Sequence, residues 1–152
     1  MIVLAALLMA DAVPVRSGGS ITVEVINVRN SHGRVRVDVC PRERFLADGC
    51  PWHADAPARP GTTIVTVAGV PPGDYAVQAF HDENDNDRID RGIFGIPKEG
   101  IGFSRDARIV MSPPKWSNAV FLHGATPQTI HFSLRYFTGP GSPEEWRKRT
   151  AG

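Results

Sequence analysis

Apolar and polar residues alternate along residues 21–28, with Ile21, Val23 and Val25 on one side and Thr22 and Glu24 on the other. A period of two is that of a half-buried strand. Residues 35–39 alternate again, with Val35, Val37 and Val39 opposite Arg36 and Asp38. Turn formers fill 30–33 between them, so the two runs predict an antiparallel hairpin. Residues 62–67 predict a third strand and 75–81 a fourth. Pro71, Pro72, Gly73 and Asp74 separate those two, where proline fixes φ and glycine accepts a positive φ. Residues 107–111 and 118–122 predict short strands, and 129–136 a clear final one. The segment 41–61 reads as a long connection. Gly92, Gly95, Gly100 and Gly102 interrupt 92–104, which predicts an ordered loop packed on the domain. In the tail, Ser142, Pro143 and Glu145 have capping-box spacing. They predict either a short C-terminal helix anchored by Trp146 or a frayed end. Short strands set apart by turn signals predict one all-β sandwich of about seven strands. That sandwich spans 20–137, and a tail covers 138–152.

Composition agrees with this reading. Apolar residues make up 41% of the 152, enough for a core, and 15 Gly and 13 Pro favour turns over helices. With 17 basic and 16 acidic residues the net charge is +1, which gives no electrostatic case for nucleic acid or an anionic membrane as partner. Residues 1–10 are apolar and of the length of a signal-peptide core, and Ala10-Asp11-Ala12 fits a small-x-small cleavage site. The run lacks a basic flank, and it is shorter than the ~20 residues of a membrane span. It predicts either a signal peptide over 1–12, hence a periplasmic or extracellular protein, or a buried N-terminal strand. In an exported chain the two cysteines, Cys40 and Cys50, predict a disulfide pinning a loop.

The richest chemistry lies in 82–90. Asp82, Asn84, Asn86 and Asp90 place oxygen-bearing side chains at short regular spacing, directly after a strand. Hard cations such as Ca²⁺ take oxygen ligands from loops of this kind. Counted as an EF-hand loop, Asp82 is first, Asn84 third, Asn86 fifth, Arg88 (through its backbone carbonyl) seventh and Asp90 ninth. Asp87 stands where the EF-hand needs glycine. Ile93 stands where it needs a bidentate glutamate, so Glu99 or Asp106 must complete the set. The competing reading is an Asx-rich turn whose side chains cap their own backbone without metal. Either reading stands on the residues alone.

The run 71–77, then Phe80-His81-Asp82-Glu83-Asn84, then 94–100, then Gly102-Phe103-Ser104, resembles the DUF2141 family of uncharacterised, mostly bacterial exported proteins. The resemblance runs from about 21 to 134. The chain departs from the family pattern at Asp85 and Asp87, where glycine is frequent, and at Arg105, where asparagine is. The resemblance implies a β-sandwich of immunoglobulin or transthyretin type, and no activity.

Other candidates are thin. His81 with Asp82 or Glu99 is a weak acid/base candidate for a small hydrolase-like enzyme, against a strand-end histidine bonded to backbone. Ser104 lacks the strand–turn–helix setting of a nucleophile and instead closes the loop through backbone hydrogen bonds. Trp116, after Pro113 and Pro114, is either a sugar-stacking platform of a carbohydrate-binding module or a cap over the core. The expectation is therefore an exported binding or structural domain with a low-affinity Ca²⁺ loop and a polysaccharide or cell-envelope partner.

Overall fold

A computed structural model describes residues 18–92 and 95–151, without the side chains of Glu144 and Trp146. The signal-peptide segment, Ile93 and the Trp146 anchor lie outside the described residues. The strands are β1 (Gly19–Val28), β2 (Arg34–Cys40), β3 (Trp52–Pro57), β4 (Gly61–Val70), β5 (Gly73–Asp82), β6 (Ile101–Phe103), β7 (Phe121–His123) and β8 (Gln128–Ser133). Two short α-helices, α1 (Trp116–Ala119) and α2 (Pro143–Thr150), and 3-10 turns at Arg42–Arg44 and Ser104–Asp106 complete the set among the described residues.

The strands form two sheets. One has the order β4-β1-β8, with β1 antiparallel to β4 and parallel to β8. The other has the order β3-β2-β5, and β6 and β7 share the far edge of β5. The alternation of the sequence builds the interface. Ile21, Val23, Val25, Val65, Val67 and Phe132 from the first sheet meet Val35, Val37, Val39, Val77 and Ala79 from the second. Fully burying a side chain of this size stabilises by about 1.5–3 kcal/mol, so this face drives the fold.

β5 is buried on both faces, and its run is apolar without alternation. Its outward residues Ala76 and Phe80 carry a second core with Ile101, Phe103, Ala107 and Ala119. Phe45 and Trp116 cap it, their rings edge to face at 5.7 Å. Trp116 is thus a half-buried lid residue.

The 21–28 and 35–39 runs form strands but not a hairpin. β1 has both edges taken by β4 and β8, so β2 pairs with β3 and β5 in the opposite sheet. The link between them crosses the end of the sandwich, tied by Arg29 N–H to the Tyr136 hydroxyl (3.1 Å) and by Asn30 to Glu83 (2.8 Å). The expected connection 41–61 hides β3, an edge strand whose inward residues after Trp52 are only Ala54 and Ala56. The 92–104 loop ends in buried β6. Residues 107–111 form no strand: the chain turns there, with positive φ at Arg105, Asp106 and Met111. Residues 118–122 divide between α1 and β7. Ser142 caps α2 as expected, its hydroxyl accepting the Glu145 N–H (3.4 Å), while the Glu145 carboxylate accepts the Gly141 N–H (2.7 Å).

Candidate functional site: the acidic loop and the adjoining groove

β1, β5 and the chain after β8 end at the same end of the sandwich, and the acidic loop leaves from there. His81 is the last inward residue of β5, paired across the sheet with Val35, and has no solvent exposure. Its Nδ1 lies 2.9 Å from the Tyr136 hydroxyl and its Nε2 2.7 Å from the His32 carbonyl oxygen. Burial holds its pKa below the ordinary value, and burial raises Tyr136 to about 12. Both ring nitrogens are engaged and neither faces a cleft, so the geometry offers no open base for a substrate. Above this pair lies Arg29, its guanidinium 4.4 Å from the Tyr136 ring centre and hydrogen-bonded to Glu83 and the Thr138 carbonyl. Burial raises the Glu83 carboxyl, but hydrogen bonds from Arg29 and Asn30 outweigh it, so Glu83 lies below the usual carboxylate range.

The loop proper is wound around carboxylates. Asp82, 2% exposed, accepts the Asn86 N–H on one oxygen (3.0 Å) and the Asp87 N–H on the other (2.8 Å). Glu99, 4% exposed, accepts the N–H groups of Glu83 and Asp90, both at 3.2 Å. Asp90 accepts the side-chain amides of Asn84 (2.6 Å) and Asn86 (2.8 and 2.9 Å), which hold it below its ordinary pKa. Arg88 is mostly exposed, with its Nε 3.9 Å from Asp90, and its N–H donates to Asn86 Oδ1 (3.1 Å). The candidate ligands Asp82, Asn84, Asn86, Arg88, Asp90 and Glu99 therefore do gather in one hydrogen-bonded loop. Asp106, the other candidate for completing the set, is elsewhere, accepting the Ser133 N–H (2.8 Å) on β8.

The electrostatics of the loop are unbalanced. Burial, with Asp82 and Asp90 nearby, raises the Glu99 carboxyl to about 7. Among the described residues, neither Asp82 nor Glu99 forms an ion pair with a basic side chain. The carboxylates do not already converge: among the described residues no three His, Cys, Asp or Glu side chains stand in metal-holding geometry. The amide groups of Asn84 and Asn86 lie against Asp90 instead. Asp85 and Asp87 adopt positive φ (55° and 60°), as does Arg105 (60°). All three departures from the family pattern thus fall where the backbone is left-handed, a conformation that glycine and asparagine enter most cheaply.

Beyond β6 the chain is locked. Gly100 passes against Tyr136, where a Cβ would stand 2.4 Å from the ring, and a Cβ at Gly102 would stand 2.6 Å from the Ser133 carbonyl oxygen and 3.1 Å from the Phe132 ring. Ser104, 1% exposed, accepts the Val77 N–H (3.0 Å) and donates to the Ala119 carbonyl (2.6 Å). The Cys40–Cys50 disulfide is formed, with Cα atoms 5.1 Å apart, and pins the loop between β2 and β3.

Sequence reasoning missed a groove of about 990 Å³ on the outer face of the second sheet. Its floor includes Phe80, Phe103 and Phe137. The acidic loop contributes Asp87, Arg88 and Arg91 to its lining, with Ile109 and Met111 also lining it. Exposed Leu46, Ile96 and Met111 stand at its margin. The β5 run, apolar at 75–77 and 79–80 with Gln78 between and without alternation, was the sequence signal that its outer face carries something.

Residues 23–131 match the model of a family described as uncharacterised proteins conserved in bacteria, DUF2141, and the chain belongs to that family. Searches of curated proteins and of solved structures returned no match.

Proposed function

We propose that this is an exported binding or structural domain whose acidic loop takes up Ca²⁺ with low affinity. The ion would be held by Asp82, Asn84, Asn86, Asp90, Glu99 and the Arg88 carbonyl. The observation carrying this reading is the pair of buried carboxylates, Asp82 and Glu99, without a basic partner among the described residues. Buried anionic charge is costly unless a cation compensates it. Hard oxygen donors of this kind suit Ca²⁺. The Asn84 and Asn86 amides now offer their N–H groups to Asp90, where a cation would otherwise supply positive charge. Turning both amides would present oxygen instead, and breaking those hydrogen bonds keeps affinity low. Because the loop lines part of the groove, its occupancy would stiffen the surface on which a cell-envelope partner sits. The disulfide favours an oxidising, exported setting.

Thermal melts test the reading. With a Kd of about 10⁻⁴ M, ~10 mM Ca²⁺ would stabilise the fold by roughly 2.7 kcal/mol over EDTA. Asp90→Asn should abolish that shift. An unchanged Tm in Ca²⁺, or an equal shift in the variant, would overturn the assignment.

A further inference from the structure

One guanidinium ties three segments together at the end of the sandwich. Arg29 follows β1, and its side chain is 14% exposed. Its Nη2 donates to the Glu83 carboxylate at the base of the acidic loop. Its Nη1 donates to the carbonyls of Thr138 (2.8 Å) and Pro140 (3.2 Å) in the tail. The group lies over the Tyr136 ring, 4.4 Å from the ring centre. Among the described residues, Glu83 is the carboxylate that pairs with Arg29, and the Arg29 Nε has no hydrogen-bond partner. Gly139 takes a positive φ of 70° where a Cβ would come 3.2 Å from Nη1, so the tail is shaped around this side chain.

The tail leans on that hold. The Thr138 hydroxyl adds a hydrogen bond to the Lys98 carbonyl (3.3 Å). Beyond it, α2 has eight residues. A helix that short is marginal in water on its own. Its first turn is tied to Gly141 and Ser142, which belong to the tail itself. Pro143 and Arg147 contribute to the lining of the groove.

We propose that residues 138–150 form a strap latched through Arg29 to Glu83, and that opening the latch frees the strap and widens the groove. A mostly buried charge is costly once its partner is gone. Without the Glu83 charge, Arg29 gains by turning out to water, and two tail carbonyls lose their donor. A rearrangement of the acidic loop that withdraws Glu83 would act in the same way. The inference stands apart from the Ca²⁺ reading, because Glu83 is not among the proposed ligands.

Amide hydrogen exchange of the full chain in EDTA tests it, with wild type beside Glu83→Gln. Losing hydrogen bonds to a charged donor should speed exchange of the α2 amides roughly 10- to 100-fold. The amides of Val23 and Val37, at the centres of β1 and β2, should keep their protection. Fluorescence of the apolar dye ANS should rise as the groove opens. Unchanged α2 protection, unchanged dye binding, or tail and core loosened alike would each overturn the proposal. Should that variant not fold, Arg29→Lys is read in the same way. Lysine keeps the charge beside Glu83 but lacks the planar fork that reaches both partners.

Discussion

Ser104→Ala removes a hydroxyl that completes a broken sheet edge. β5 pairs with β7 at residues 73–75 and with β6 at 78–80, leaving a gap between them. Ser104 fills that gap, taking the Val77 N–H and giving its own proton to the Ala119 carbonyl. Alanine leaves both backbone groups unpaired at a position 1% exposed. Each buried unpaired group costs about 1–3 kcal/mol, and the 2.6 Å bond to Ala119 is the shorter of the two. We therefore expect a loss of about 2–4 kcal/mol, a large part of the ~5–15 kcal/mol that holds a typical domain. Guanidinium unfolding with the disulfide intact measures it, and Tm should fall by roughly 5–15 °C. Exchange protection at Val77 should drop with it. A surface Ser→Ala change is usually within about 0.5 kcal/mol. A loss that small, or a Val77 amide as protected as before, would refute the view that Ser104 splices the edge.

Reducing the Cys40–Cys50 bridge, or replacing both residues by serine, should cost about 2–3 kcal/mol through loop entropy, read from unfolding with and without reductant. Glu99 sets a pH trend in EDTA. Its folded pKa of about 7 lies above the ordinary 4.5, so the fold binds its proton more tightly than the unfolded chain does. The stabilisation is complete below 4.5 and is lost as pH rises through about 7. Wild type minus Glu99→Gln, which cancels His81 and Glu83, should show that slope, and parallel curves would refute it. Asp87→Gly should stabilise by up to about 1 kcal/mol in thermal melts by relieving a left-handed φ, since the N–H bonded to Asp82 is kept.

β1, β2, β4 and β8 were legible because one side of each alternates towards the core, and β5 because a mostly apolar run carries both of its faces; all five lie within a few residues of their runs. Pairing was not legible. Valine faces on β1 and β2 suit a hairpin as well as two opposed sheets, and the choice was made by long-range partners at Tyr136 and Glu83. β3 escaped because Ala54 and Ala56 give an edge strand a weak apolar signal, and β6 because three residues hold no period. Of the loop, the run of oxygen donors and the place of Glu99 were readable. The donation of Asn84 and Asn86 amides to Asp90 was not, since amide orientation depends on the folded network. Met111 read as a strand residue, yet it is fully exposed at a positive φ beside the groove.

The residues from Pro97 to Ser104 that carry the family resemblance prove to be structural joints. Pro97 bridges to Arg91, Glu99 closes the acidic loop, Gly100 and Gly102 admit Tyr136 and Phe132, and Ser104 splices β5. Substitutions there will unfold or loosen the domain before they report on any partner. Binding should instead be probed at the groove margin, where Arg88, Met111 and Leu46 are exposed and can change without emptying either core. A variant at those positions that keeps the wild-type melt but loses binding to the proposed cell-envelope partner would place recognition in the groove. A variant at Gly102 could not make that distinction, because its Cβ would stand 2.6 Å from the Ser133 carbonyl and displace β6 itself.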